Sequence, residues 1–233
     1  MRNGKKWVGI YGLILVLTLL TAHWGSRAVT VMTENSPPER EYTIVIDAGH
    51  GGVDGGATSR AGILESRYNL EIALKLEDLL HLLGWHTKMI RREDISVYTK
   101  GDTIAQKKIS DLKERVRIVN ETPGAVLLSI HQNNFSDSRY SGAQVFYAGT
   151  DGSEPLAKTM QAALIRHLNP GSRRDIKKSD GIYLMEHIQS AGVLIECGFL
   201  SNPEEEAKLR SRQYQQNLCC VIAAAVSEYL SNT

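Results

Sequence analysis

From Tyr42 onward, short apolar runs alternate with segments whose apolar residues recur every three or four positions. The runs are YTIVID (Tyr42–Asp47), WHTKMI (Trp85–Ile90), AVLLSIH (Ala125–His131), AQVFYA (Ala143–Ala148), GIYLM (Gly181–Met185) and GVLIEC (Gly192–Cys197). A strand with one wet face alternates apolar and polar residues, whereas a strand that is apolar throughout is covered on both faces. Between the runs, Glu65 to Leu83 sets Tyr68, Ile72, Leu76, Leu79 and Leu83 on one helical face, and Gly84 stops it. Ser110–Glu121, with Ser110 as its cap, reads as a helix, as do Glu154–Leu168 and Tyr214–Tyr229, the last with Leu218, Val221 and Ala225 inward. The polar stretch Arg91–Lys108 reads as a long loop or a partly helical insertion. This alternation predicts a single α/β domain: a mostly parallel, twisted central sheet of about six strands with helices on both faces.

The first residues belong to another regime. MRNGKK carries three positive charges, and Trp7–Ala22 follows with none. A basic segment followed by an apolar one is the pattern of an export signal or an uncleaved membrane anchor, assigned here to residues 1–28. Ser36–Arg40 contains two prolines and cannot continue a helix, so residues 29–41 read as a linker and 42–233 as the folded domain, outside the cytoplasmic membrane. A formal net charge of +1 gives no electrostatic case for nucleic acid. Cys197, Cys219 and Cys220 are an odd set with two neighbours, which argues against a disulfide framework; Cys219 and Cys220 are expected in the core.

In covered α/β sheets, ligands gather beyond the carboxyl ends of the strands. There the first strand delivers Asp47 and His50, the third His131, and the last Glu196; Glu65 opens the first helix after a glycine-rich loop. Each has a plain alternative alone: a turn histidine, a glutamate favouring a helix dipole. Glu196 follows Val193, Leu194 and Ile195, and a carboxylate buried there needs a partner. Together the residues match a mononuclear zinc site, in which two histidines and a carboxylate leave one position open and a further carboxylate serves as base. His50, Glu65 and His131 are the candidate ligands and Glu196 the candidate base. Asp47 is a candidate partner of a ligating histidine, or else a loop-stabilising residue. Glu71, six positions after Glu65, falls on a solvated face. The loop GHGGVDGG lacks the spacing of a nucleotide-binding loop, so a phosphate cradle is rejected.

The blocks VIDAGHGGVDGGA, GILESRYNLEIA, LLSIHQNN and GVLIECGFLSNPEE, in that order, resemble the zinc-dependent N-acetylmuramoyl-L-alanine amidases, which are peptidoglycan hydrolases. DLKERVRIVN, SGAQVFY and DGIYLME are similar to the germination-specific, spore-cortex branch of that family. The resemblance implies one zinc ion on His50, Glu65 and His131, with Glu196 as the catalytic base. It implies cleavage of the amide between N-acetylmuramic acid and L-alanine, preceding muramic-δ-lactam formation, with a separate polysaccharide deacetylase acting in sequence. Many members have proline where this chain has Ala48. Asn133, Asn134 and Arg115 are candidate substrate contacts; a loop-turn role is the alternative for the asparagines, and support of the cleft or pairing on a helix surface for Arg115. The rival readings are a general vegetative wall amidase, a non-catalytic wall-binding module and a different zinc hydrolase. Presence of all four chemical positions argues against the non-catalytic reading.

Overall fold

The computed structural model describes residues 41–233; the assignments to residues 1–28 and to most of the 29–41 linker lie outside them. Among the described residues six strands form one sheet: β1 (Thr43–Ala48), β2 (His86–Met89), β3 (Ala125–Asn133), β4 (Gln144–Tyr147), β5 (Lys177–Lys178) and β6 (Ala191–Phe199). Their order is β2-β1-β3-β6-β4-β5. β1 pairs parallel with β2 and β3, and β3 with β6; β4 runs antiparallel to β6. The expected α/β class, a mostly parallel sheet of about six strands, is therefore found. No helix among the described residues is long and apolar enough to cross a membrane.

Side chains of successive strand residues point to opposite faces. Ile44, Ile46, Leu128, Ile130, Val193 and Ile195 meet one layer, built from α1 (Glu65–Leu82), α3 (Ser153–His167), α5 (Pro203–Arg210) and α6 (Arg212–Ser231). Val45, Leu127 and Leu194 meet the other, built from α2 (Ile104–Asn120) and α4 (Tyr183–His187). The same alternation puts Asp47, Ser129, His131 and Glu196 on the α2 side near the carboxyl ends of the strands. Cys197, one position on, is buried in the opposite core and its thiol is held neutral, its pKa raised by that burial and by neighbouring charge.

Several local expectations are corrected. GIYLM is not a strand: Gly181 turns the chain at φ +73°, and Tyr183–His187 forms a short helix whose Leu184 and Met185 pack under the sheet. A short apolar run does not tell a buried strand from one buried helical turn. α2 starts at Ile104, not Ser110; Thr103 accepts from the Gln106 N–H while the Gln106 side chain accepts from the Thr103 N–H, a reciprocal cap. Ser110 lies within the helix and accepts from the Thr99 and Lys100 N–H groups. Pro203–Arg210 forms a separate helix capped by Asn202. Cys220, expected in the core beside Cys219, is exposed.

The sheet positions the site only while its centre stays packed. Leu128 is fully buried in β3 between β1 and β6. Leu128→Ala is expected to cost about 2–5 kcal/mol in urea denaturation. Leu82→Ala, at a side chain 83% exposed, is expected to change stability by under about 0.5 kcal/mol.

Candidate metal centre

The chain leaves β1 at Ala48 and reverses at once. His50 takes φ +60°, the left-handed region, where it is the lone non-glycine residue among those described. Gly51 and Asp54 close the turn by a pair of backbone hydrogen bonds at 2.7 and 3.2 Å. Glycine at position 49 is required by space: a Cβ there would lie 2.1 Å from Nε2 of His131. Gly56, at φ +68°, is also held by space, since its Cβ would meet Glu65 Oε2 at 2.7 Å.

This reversal brings together three residues from three elements. Potential ligand atoms of His50, Glu65 and His131 lie within 4.8 Å of one another. Glu65 Oε1 faces His131 Nδ1 at 2.9 Å, and Oε2 faces His50 Nε2 at 3.3 Å. The carboxylate also accepts from the N–H groups of Ala57 and Gln132 at 3.1 and 3.2 Å, and from Asn69 Nδ2 at 3.3 Å. Burial alone would raise the Glu65 pKa; hydrogen bonds from the two histidines and their charge outweigh it and hold the carboxylate ionised. A fixed anion flanked by two imidazoles suits a borderline cation such as zinc.

Glu196 stands opposite His131 in the β3–β6 register. Its Oε2 is buried with no hydrogen-bond partner, although the residue as a whole is only half-buried. Burial, reinforced by the negative charge of Glu65 and opposed by the two histidines, pushes its pKa up to about 7. An unsatisfied carboxylate oxygen is costly in a structural role and suited to exchanging a proton near neutral pH.

A family model described as N-acetylmuramoyl-L-alanine amidase matches residues 44–228. The chain belongs to the N-acetylmuramoyl-L-alanine amidase family. It is 34% identical to the germination-specific N-acetylmuramoyl-L-alanine amidase of Bacillus subtilis, over 99% of this chain and 97% of that protein. Among solved structures it resembles the CwlD amidase of Clostridioides difficile, in complex with the GerS lipoprotein: TM-score 0.79, 37% identity, 82% of this chain and all of that one (100%). The catalytic domain of CwlV from Bacillus (Paenibacillus) polymyxa var. colistinus matches at TM-score 0.67 and 28% identity, covering 82% of this chain and 99% of that one. The amidase is thus a peptidoglycan amide hydrolase.

Two expected contacts of the amidase are corrected. Arg115 is not at a substrate surface: it is buried and pairs with Asp47 and Asp111 while donating to the carbonyls of Ala48 and His50. Asp47 hydrogen-bonds to no histidine among the described residues; it takes Arg115 and the Ser129 hydroxyl. The carboxylate beside a candidate ligand is Asp54, whose Oδ2 lies 3.1 Å from His50 Nδ1 and 3.1 Å from Lys108 Nζ. That contact leaves His50 Nε2 turned toward Glu65. Its sequence signal was spacing: four residues after His50 in a tight loop. Asn133 and Asn134 follow His131 at the strand end, half-buried and exposed respectively. Glu71 is exposed, as its spacing suggested.

The charged stretch after β2 has a defined task. Buried Arg91 donates to the carbonyls of Ala48, Gly49 and Ser66 at 2.8, 3.0 and 2.9 Å. Ser96 donates to the Gly51 carbonyl at 2.6 Å, and Asp94 accepts from the Gly52 N–H at 3.1 Å. The stretch therefore braces the histidine turn from behind. Arg115→Ala strands the buried Asp47 carboxylate and frees the His50 carbonyl. It is expected to cost about 3–5 kcal/mol by chemical denaturation. It should also lower zinc affinity in a chelator competition titration; unchanged affinity and stability would show that the turn holds without it.

Proposed function

We propose that this amidase removes stem peptides from cortex peptidoglycan during spore formation, with His50, Glu65 and His131 holding one zinc ion and Glu196 moving the proton. The observation that carries the chemistry is the unpartnered Glu196 Oε2 beside a three-residue N/O donor set. The cortex assignment rests on likeness along nearly the whole length to a germination-specific amidase. The reaction breaks the C–N bond between the lactyl carbonyl of N-acetylmuramic acid and the nitrogen of L-alanine, and forms a C–O bond to water. Bound at this donor set, zinc supplies a Lewis acid that acidifies water and polarises the scissile carbonyl. Glu196 accepts the proton of the attacking water and returns it to the departing L-alanine nitrogen. Glu65 remains an anion throughout, fixed by its three protein N–H donors. Asn133 and Asn134, just after His131, would hydrogen-bond amides of the sugar or peptide.

The protein works outside the cytoplasmic membrane, with its amino-terminal segment as signal or anchor. Its product is a stretch of glycan freed of peptide, which a separate deacetylase prepares for lactam closure. An accessory lipoprotein, of the kind found with the CwlD amidase of C. difficile, is a candidate partner.

Glu196→Gln keeps the shape and removes the base. It is expected to lower turnover of muropeptides by about 10²–10⁴-fold while zinc stoichiometry stays at one. Substantial activity with zinc bound would remove Glu196 from the proton path. Mass spectrometry of digests is expected to show free L-alanine amino termini, and loss of acetyl groups instead would point to a deacetylase. Spores of a strain lacking the protein are expected to lack muramic-δ-lactam; normal lactam content would sink the cortex role and leave the amide chemistry standing.

A further inference from the structure

Past the carboxyl end of β6 lies a groove lined by residues 138–142, 168–174 and the start of α5. Because β4 runs antiparallel to β6, Gln144 at its start lies opposite Glu196. Buried Gln144 accepts from Arg174 Nη1 and donates to the Asp175 carbonyl, both at 2.8 Å. The Arg174 guanidinium lies 4.6 Å from the ring centre of Phe199 and 6.0 Å from that of Tyr140. Those rings stack at 6.2 Å, and Phe135 meets Tyr140 edge-on at 5.0 Å. An aromatic wall thus rises at the end of β6, three residues past Glu196. Through Tyr140 it borders a groove of about 1150 Å³ whose far side is the Asn169–Arg173 turn and the start of α5.

The charge in the groove is net positive. Arg139, Arg173, Arg174 and Lys208 line it, with Glu204 and Glu205. Arg139 is neutralised by Asp137 at 2.7 Å. Glu205 is buried and its carboxylate is occupied by the N–H groups of Gly142 and Phe199 at 2.9 and 3.0 Å. Arg173, Arg174 and Lys208 remain against exposed Glu204 and buried Glu205, whose charge also acts on Arg174, so the lining keeps a net positive charge. The substrate of an amidase is asymmetric in charge. The glycan is built from N-acetylated sugars, and the muramic carboxyl is consumed in the scissile amide, so that half is neutral. The peptide half has its amino terminus acylated, so no ammonium at that end balances its carboxylates.

The geometry points to this groove as the subsite for the stem peptide on the leaving side of the scissile amide, with Arg173, Arg174 and Lys208 receiving its carboxylates. The volume exceeds that of an ordinary single-ligand pocket, as several linked amino acids require. Arg174 presents a planar fork held by Gln144 and by the Ser141 carbonyl at 2.7 Å, a preorganised partner for a carboxylate. The inference rests on the amidase reading above.

The test uses the zinc-loaded full chain and two synthetic muramoyl peptides, one with free carboxylates and one with every carboxylate amidated. The parent is expected to favour the free acid by about tenfold in kcat/KM, mainly through KM, and added salt should shrink that preference. Arg173 and Lys208 are exposed, so Arg173→Glu/Lys208→Glu leaves the core untouched; it should collapse the preference to near unity or reverse it. Lys158→Glu, a charge reversal on exposed α3 surface, should retain it. Equal kcat/KM for the two substrates in the parent overturns the inference alone, as does the same proportional loss on both in the double variant. Failure of the parent to release peptide from either substrate overturns the amidase reading and the inference with it.

Discussion

Everything at the site depends on two buried guanidinium groups holding a strand end that would otherwise fray. β1 stops at Ala48, and its last carbonyls leave the sheet with no strand partner ahead of them. Arg91 and Arg115 take these carbonyls, those of Ala48, Gly49 and His50 between them. His50 needs that support, because its left-handed backbone is disfavoured for a residue with a Cβ and persists only where the surroundings over-determine it. Arg115 is itself kept charged inside the protein by Asp47 and Asp111, whose attraction outweighs its burial. Arg91 feels the opposite balance: burial and the nearby Arg115 charge lower its pKa, and its geometry is fixed by carbonyls rather than by a carboxylate. Loss of Arg115 leaves the His50 carbonyl without its donor, whereas the Gly49 carbonyl keeps Asn69 Nδ2 when Arg91 is lost.

The sheet order explains why these residues converge. β1, β3 and β6 lie side by side and parallel, so their carboxyl ends share one edge. The pleat sends Asp47, Ser129, His131 and Glu196 to one side of that edge. α1 begins at the same edge because the glycine loop returns there, and its first residue is Glu65. The reversed β4 then turns a parallel array into an opening: its amino end, not its carboxyl end, abuts Glu196, and the chain before and after it is free to form the aromatic and cationic walls.

The fold class was legible because unbroken apolar runs admit few alternatives once helical segments separate them. The convergence of His50, Glu65, His131 and Glu196 was legible for the same reason: strand ends are readable, and parallel strands put their ends together. What escaped was decided by contacts between distant segments. Arg115 has the same local pattern whether it faces solvent or lies beneath β1, and the 67 residues separating it from Ala48 hide the difference. Arg91 opens a polar stretch that reads as a long loop or a partly helical insertion, yet its side chain is buried and spent on backbone carbonyls. The start of α2 was missed because Thr103 caps through Gln106 in a run with few apolar residues to mark a helical face.

The two glutamates show how one side-chain type is driven to opposite ends of its titration range. Both carboxylates are shielded from water, Glu65 as a whole and Glu196 at Oε2, and that shielding raises each pKa. Glu65 meets that penalty with three protein N–H donors and two imidazoles, so its proton is expelled. Glu196 has no donor on Oε2, and the charge of Glu65 adds to its burial, so its proton is retained to near neutrality. The anion that organises the donor set therefore also tunes its neighbour: fixing Glu65 in the charged form disfavours a second charge on Glu196. Pairs of titratable groups pushed apart in this way separate a fixed ligand from a mobile proton carrier. Here the separation follows from where each carboxylate enters the site, one facing N–H donors from the glycine loop, from α1 and from the end of β3, the other with Oε2 facing none.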